Sequence, residues 1–540
     1  MTSSTLPISF KRAQRLTGTV PRYGPNIITP VTPDLVWRAT TQGSRIAIQS
    51  FNNASALSRT TRNRIVLPVP TRYIQIAIPV FNMVGSNPII DTLFAGAQAK
   101  LWFQVGIEYP YTEAVTGLAP RTPIRFNGLD YATYDNVTWN GATGWLYSDP
   151  LDLGFTIPSF TAFGRWVTVE VENVGVNVLP ISQNSSNFIP RNTGTILSST
   201  SQIIGRGGAT NAALTATSVS PHTPLQTGSA DFYDPCVMRV MVLRNTKSTV
   251  TFGDSITYGV GEGASGSGAF GDPRGDVYGN AGIMDRGLWN AGILNVNFGK
   301  GSDGYKYMGL NDTYWQYRRQ IVPWCDPTHV ISSNIHNDIT QTASCGAWVG
   351  DATRNVGDAL TNGGNIYIYT ASGKAALSGG PSGTGGVITD GTAVCAYFGP
   401  ASGANTMIAL QIGRQVRVHW LIKGMLPVVP ILAMCGTPDA TSTDSWATAG
   451  NQTAVTGWGN AASRRGLWND KIETRYPPLQ LAGYLDPNPY LEDSFPTETS
   501  KWVSGSAFYA TNDGTHPNSK GYDLASIPMI NAAITAGYFS

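Results

Sequence analysis

Charge is scarce in this chain. Asp, Glu, Lys and Arg make up 13% of its 540 residues, about half the share usual for a soluble domain. The formal net charge is only +2, and no block of like charge stands out. There is thus no electrostatic case for nucleic acid or an anionic membrane as partner. Cysteine is sparse as well. Cys236, Cys325, Cys345, Cys395 and Cys435 lie far apart with no C-x-x-C pair, which argues against a disulfide framework and a zinc site and predicts buried thiols. Long hydrophobic runs are missing. The most apolar stretch, "GMLPVVPILAMCG", is short and broken by prolines, so it does not span a bilayer. The N-terminal "MTSSTLPISFKRAQRLTG" has no continuous apolar core, as a Sec signal would need. A virion-associated or extracellular protein that leaves by a non-Sec route is expected before a cytoplasmic one. No G-x-S-x-G elbow, phosphate-binding G-x-x-x-x-G-K-[ST] or H-E-x-x-H occurs, which weakens the corresponding hydrolase, nucleotide and metal readings. No metal and no cofactor is expected.

Turn-formers are abundant instead: 60 Gly and 34 Pro, with 10% aromatics. Together with the low charge they favour β-rich, loop-rich structure. At this length two or three domains are expected. Residues 1–30 read as an extended arm. Residues 31–185 carry short alternating or β-branched runs, such as "RNRIVLPVPTRYIQIAIPVFNM" and "RWVTVEVENVGVNVLPI", and predict an antiparallel, jelly-roll-like β-sandwich. Residues 186–245 read as a Ser/Thr/Asn/Gly-rich linker that ends in a connecting strand, "CVMRVMVLR". From 246 to 540 strands and helices alternate, which predicts an α/β, three-layer fold with a parallel, flavodoxin-like sheet. Residues 364–399 interrupt that alternation and read as an inserted β-hairpin unit.

The stretch "TVTFGDSITYGVGEG" places Ser255 just past a short buried strand. In an open parallel sheet, ligands bind outside the carboxyl ends of the strands, so Ser255 stands at the productive edge. A serine hydroxyl is a weak nucleophile without a base, and the base needs a third group to fix its tautomer. Of the five histidines, His222 lies in the linker, His329 opens a predicted strand and His419 sits in mid-helix. His516, in "NDGTHPNSKGY", follows Asp513 by three residues on a polar turn. That spacing lets the carboxylate receive Nδ1–H while Nε2 faces a nucleophile. The glycine-rich loop after residue 260 spells G-x-G-x-x-G twice. It trails the strand and opens no helix, so it is not a dinucleotide fingerprint; Tyr258, Phe270 and Tyr278 flank it as possible contacts for sugar rings.

Gly253-Asp254-Ser255 early, Asn-Asp in the middle and Asp513-Gly514-Thr515-His516 near the end resemble the blocks of the SGNH (GDSL) hydrolase family, over roughly residues 245 to 540. The resemblance implies Ser255 as nucleophile, His516 as base and then acid, and Asp513 as its orienter. It also implies an oxyanion hole made by the Ser255 amide, a glycine amide and an asparagine side chain. In "NVNFGKGSDGY" the expected glycine is Gly301, with Gly299 as runner-up. "GLND" at 309–312 matches the family's asparagine block in spelling. "NIHND" at 334–338 departs from it, with Ile335 in place of glycine, but directly follows a strand, so Asn337 is expected before Asn311. His336 beside it is expected to line the substrate pocket with Tyr258. The insert resembles a small module found in phage tail and virion proteins. The function expected is a serine esterase, most simply one that removes O-acetyl groups from a polysaccharide. The alternatives are a glycan-binding virion or surface adhesion protein, and a lipase or thioesterase. Homo-oligomerisation through the β domain is a further expectation.

Overall fold

The computed structural model describes residues 34–42, 48–51, 58–84, 88–94, 100–112, 114, 116–135, 138–139, 143–171, 180–182, 194–196, 214, 220–221, 236–261, 280–493, 495–497 and 499–540. The expected arm, most of the expected linker with His222, and the glycine-rich loop with Phe270 and Tyr278 lie outside the described residues.

The N-terminal half is antiparallel β. Strands Leu35–Thr40, Val237–Leu243, Thr71–Pro79 and Trp145–Tyr147 form one sheet in that order, with Leu151–Ile157 also pairing to Thr71–Pro79. A second sheet is built around Ser58–Val66, Ala162–Val171 and Lys100–Glu108. Alternation sends Ile74, Ile76 and Ile78 of the first sheet and Phe103, Val105, Val167 and Val169 of the second into one apolar cluster, as two facing sheets require. The strand Val237–Leu243, read from the sequence as a connector, is an interior strand of the first sheet, contributing Met238, Val240 and Val242 to that cluster. Ala39, Ala77 and Val237 point the other way, into the core of the C-terminal half. The first sheet is therefore covered on both faces, and the two halves share a continuous apolar boundary.

The C-terminal half holds five strands: β1 (Ser248–Gly253), β2 (Leu294–Asn297), β3 (His329–Ser333), β4 (Ile431–Met434) and β5 (Leu481–Leu485). All pair in parallel, in the order β2-β1-β3-β4-β5, the doubly wound flavodoxin-like order. Every residue of β1 to β4 is buried, as expected when helices cover both faces. The helices are α1 (Ser255–Tyr258), α2 (Gly282–Asn290), α3 (Tyr305–Met308), α4 (Gln316–Cys325), α5 (His336–Ile339), α6 (Gly403–Met425), α7 (Arg464–Glu473) and α8 (Ser519–Thr535), with one further four-residue helix, Asn488–Leu491, and short 3-10 turns between. The edge strand β5, "LAGYL", has no signal in the sequence because it is short and partly exposed. Its Gly483 lies under the Tyr538 ring, where a Cβ would come within 2.3 Å. The insert between α5 and α6 is a sheet of its own. Its centre is the antiparallel pair Asn365–Ala371 and Ala393–Pro400, and it reaches back to Gly346. Buried Asp390 ties it together, accepting from Trp348 Nε1 at 2.9 Å, the Ala376 amide at 3.0 Å and the Tyr369 hydroxyl. None of the five buried cysteines is in a disulfide. No described helix is long and apolar enough to cross a membrane.

Candidate active site

The chain leaves β1 for β2 on one side and then crosses to β3 on the other. The carboxyl ends of β1 and β3 therefore flank a topological switch point, where an open α/β sheet leaves a crevice. Ser255 follows β1 and opens α1. Asp254 caps that helix, its Oδ1 accepting from the Ile256 amide at 3.0 Å. Its other oxygen accepts from the His336 amide at 3.0 Å and so ties the turn after β1 to the turn after β3. Burial pushes this carboxyl above the usual range, and the nearby His336 and the two amides pull it back.

A histidine arrives from the other end of the chain. His516 Nε2 lies 2.8 Å from Ser255 Oγ across a separation of 261 residues, and His516 Nδ1 lies 2.7 Å from Asp513 Oδ2. The second oxygen of Asp513 accepts from the amides of Thr515 and His516 at 2.9 and 2.8 Å. Burial works to raise the Asp513 pKa, but the bonds and charge of His516 outweigh it and hold the carboxyl down at about 2. With Nδ1 engaged by a carboxylate, Nε2 is the nitrogen left to accept the serine proton.

Three contacts bring these segments together. Tyr522 of α8 donates to the Val260 carbonyl at 2.7 Å, just past α1. Gly261 sits against the His516–Pro517 backbone, where a Cβ would come within 2.3 Å of the Pro517 oxygen. Gly514 has φ +81° and no room for a side chain, since a Cβ would lie 1.9 Å from the Ala440 oxygen; only glycine suits both conditions. The letters D-G-T-H thus include one residue whose side chain the packing forbids.

The turn after β2 is bonded to the end of β1. The Lys300 amide donates to the Gly253 carbonyl at 3.0 Å, and the Asp303 amide closes the turn onto the Lys300 carbonyl at 3.1 Å. The Gly299 amide is engaged by Asn297 Oδ1 at 2.8 Å. The Gly301 amide meets no acceptor among the described residues. Asn337 is half-buried at the start of α5 and donates from Nδ2 to the Asp303 carbonyl at 3.0 Å, which leaves its second amide proton available. Asn311, the rival in "GLND", is exposed and caps the 3-10 turn Asp312–Trp315, accepting from the Thr313 amide and hydroxyl at 3.0 and 2.9 Å. The Asp338 carboxylate of the N-D pair accepts from the amides of Tyr305 and Lys306, both at 2.8 Å, and so positions α3.

Two expected substrate contacts need correction. Tyr258 is 1% exposed within the main apolar core, because α1 turns its ring inward, so it offers no face to a sugar. His336 is buried rather than lining an open wall. Its Nε2 lies 3.3 Å from Asp439 Oδ2 and its ring packs against Trp458. Asp439 in turn accepts from Thr515 Oγ1 at 3.1 Å, so His336 links α5 to the turn that carries His516. His329 and His419 are buried, and burial lowers both to about 4.

Sequence reasoning did not find Trp446. Its half-buried ring packs on Gly514, its Nε1 donates to the Ala440 carbonyl at 3.0 Å, and Phe508 lies 6.2 Å away, centroid to centroid. Ser445, Trp446 and Phe508 all have φ between 57° and 60°, a strained region for such side chains. That conformation carries no sequence signature.

No family model matches the chain, and no curated protein does. Among solved structures, the chain is similar to a family two carbohydrate esterase from Cellvibrio japonicus, at 8% identity and TM-score 0.30 over 94% of this chain and 99% of that one. It is also similar to a putative GDSL-like lipase from Bacteroides ovatus, at 10% identity and TM-score 0.28 over 94% and 99%. An acetyl xylan esterase from Butyrivibrio proteoclasticus aligns at 9% identity and TM-score 0.26 over 94% and 100%. At such scores the weight rests on the site's own geometry.

Proposed function

We propose that the protein is a serine ester hydrolase of the SGNH type. The observation that carries this is the hydrogen-bonded chain Ser255 Oγ, His516 Nε2, His516 Nδ1, Asp513 Oδ2, placed at the switch point of a parallel sheet. Ser255 Oγ attacks the ester carbonyl while His516 Nε2 takes its proton. Asp513 holds the tautomer and stabilises the imidazolium. The tetrahedral oxyanion is met by the amides of Ser255 and Gly301 and by Asn337 Nδ2. Collapse returns the proton from His516 to the departing alkoxide and leaves an acyl-serine. Water, activated by the same imidazole, releases the acid and restores the serine.

The substrate we propose is an O-acetylated polysaccharide. The supporting observation is the Trp446–Phe508 ring pair beside the Asp513–His516 turn, since aromatic faces suit the apolar faces of sugar rings. Hydrolysis of p-nitrophenyl acetate, lost in Ser255→Ala, tests the esterase; acetate release from a panel of acetylated polysaccharides tests the substrate. A preference for long acyl chains would point to a lipase or thioesterase. Glycan binding with no turnover by the wild type would point to an adhesion protein.

A further inference from the structure

The turn that carries Gly301 is held from the N-terminal half. Arg318, at the start of α4, lies between two buried carboxylates. Its Nε and its backbone amide donate to Asp91 at 2.8 and 3.0 Å, and its Nη1 donates to Asp303. All three side chains are at most 1% exposed. Asp91 belongs to strand Ile90–Leu93, which pairs with Phe81–Val84 of the N-terminal half in a two-stranded sheet of their own that packs on the main core. Asp303 closes the Lys300–Asp303 turn, and its carbonyl takes one proton of Asn337 Nδ2. Lys300 is also buried, close enough to feel the charges of Asp303 and Arg318. The N-terminal end of α4 is tied to the N-terminal half a second time, by Trp145 Nε1 donating to the Tyr317 carbonyl at 2.7 Å.

We infer that Asp91, acting through Arg318 and Asp303, is a positioning residue for the oxyanion hole. The inference rests on reading Gly301 and Asn337 as its donors. A donor works in the transition state only if it is already aimed where the negative charge will develop. The amide plane of Asn337 is fixed by the proton it gives to the Asp303 carbonyl. The Asp303 peptide is fixed by its own side chain on Arg318, and Arg318 is fixed by Asp91. The N-terminal half is thereby a structural part of the catalytic apparatus.

A double-mutant cycle on the full chain tests this, with p-nitrophenyl acetate as substrate. Asp91→Asn keeps the shape and one acceptor but removes the charge. It should lower kcat about 10- to 100-fold, as small misplacements of reacting groups do, with KM within about twofold of wild type. In the Asn337→Ala background the same substitution should cost far less, because the group it positions is gone; sites that act independently add instead. Asp303→Asn, which touches the same arginine from the other side, should repeat the pattern and serves if Asp91→Asn does not fold. Full kcat in either folded variant, or losses that add to that of Asn337→Ala, overturns the inference while leaving the esterase in place. Failure of both variants to fold also overturns it, since the cluster would then serve folding. A wild type with no Ser255-dependent turnover overturns both proposals.

Discussion

Asn337 and Asn311 make a crossed pair of substitutions whose outcomes the structure separates. Asn337→Ala removes one donor from the proposed oxyanion hole, a loss that typically costs about 10²–10³ in kcat, or about 2.7–4 kcal/mol. The fold loses little by it. The side chain is half-buried and makes one bond, to the Asp303 carbonyl, which is worth about 0.5–1.5 kcal/mol. Asn311→Ala does the reverse. It removes the cap of the Asp312–Trp315 turn, at a cost of about 0.5–2 kcal/mol in stability, and touches none of the reacting groups. Steady-state hydrolysis of p-nitrophenyl acetate and thermal melts on both variants would show the crossing. Asn337→Ala should melt within a few degrees of wild type and turn over hundreds of times more slowly. Asn311→Ala should melt lower or unchanged and keep its kcat. Full turnover in Asn337→Ala with loss in Asn311→Ala would move the oxyanion site to the 309–312 segment and refute the placement argued from the end of β3.

Asp513→Asn should reduce kcat by about 10⁴, the usual loss when a triad carboxylate is neutralised. Asp513 is held at about 2 in the folded protein, below its ordinary value of 3.8, so its contribution to stability is present above about pH 4 and is lost as pH falls toward 2. A gap in stability between wild type and Asp513→Asn, measured by denaturant melts, should close over that window; a gap that persists at pH 2 would contradict the assignment. Phe508→Ala leaves the bond from its amide to the Ser445 carbonyl intact and removes half of the aromatic pair. It should raise KM for an acetylated polysaccharide about 3- to 10-fold, the equivalent of about 0.5–1.5 kcal/mol, and leave small-ester kinetics unchanged. Equal effects on both substrates would remove the case for sugar stacking.

How much was legible in the sequence follows from how local each signal is. Strands β1 to β4 announce themselves as apolar runs because both of their faces are buried. The edge strand β5 does not, since half of it meets solvent and a glycine makes room for Tyr538. The strand Val237–Leu243 was visible as a strand, but its seat inside the first antiparallel sheet was not, because pairing with Leu35–Thr40 and Thr71–Pro79 is set by partners some 160 to 200 residues away. At the site, Ser255 and the Asp513–His516 spacing could be read directly, since a nucleophile at a strand end and an i, i+3 carboxylate–imidazole pair are local patterns. Tyr258 is the converse case: a short helix decides which way a ring points, and residue type alone cannot.

The chain by itself determined the chemistry on offer: a serine past a buried strand, a histidine with its carboxylate on one turn, and an alternation of strands and helices that must form a parallel sheet. Only the tertiary structure decided which groups meet. It set Ser255 against His516, hung Asn337 on the Asp303 carbonyl while leaving Asn311 to cap an exposed turn, and put a carboxylate of the N-terminal half behind the Lys300–Asp303 turn through Arg318. The physical reason is that hydrogen bonds act over about 3 Å, whereas these partners lie tens to hundreds of residues apart, and only packing of the whole chain brings them within that reach.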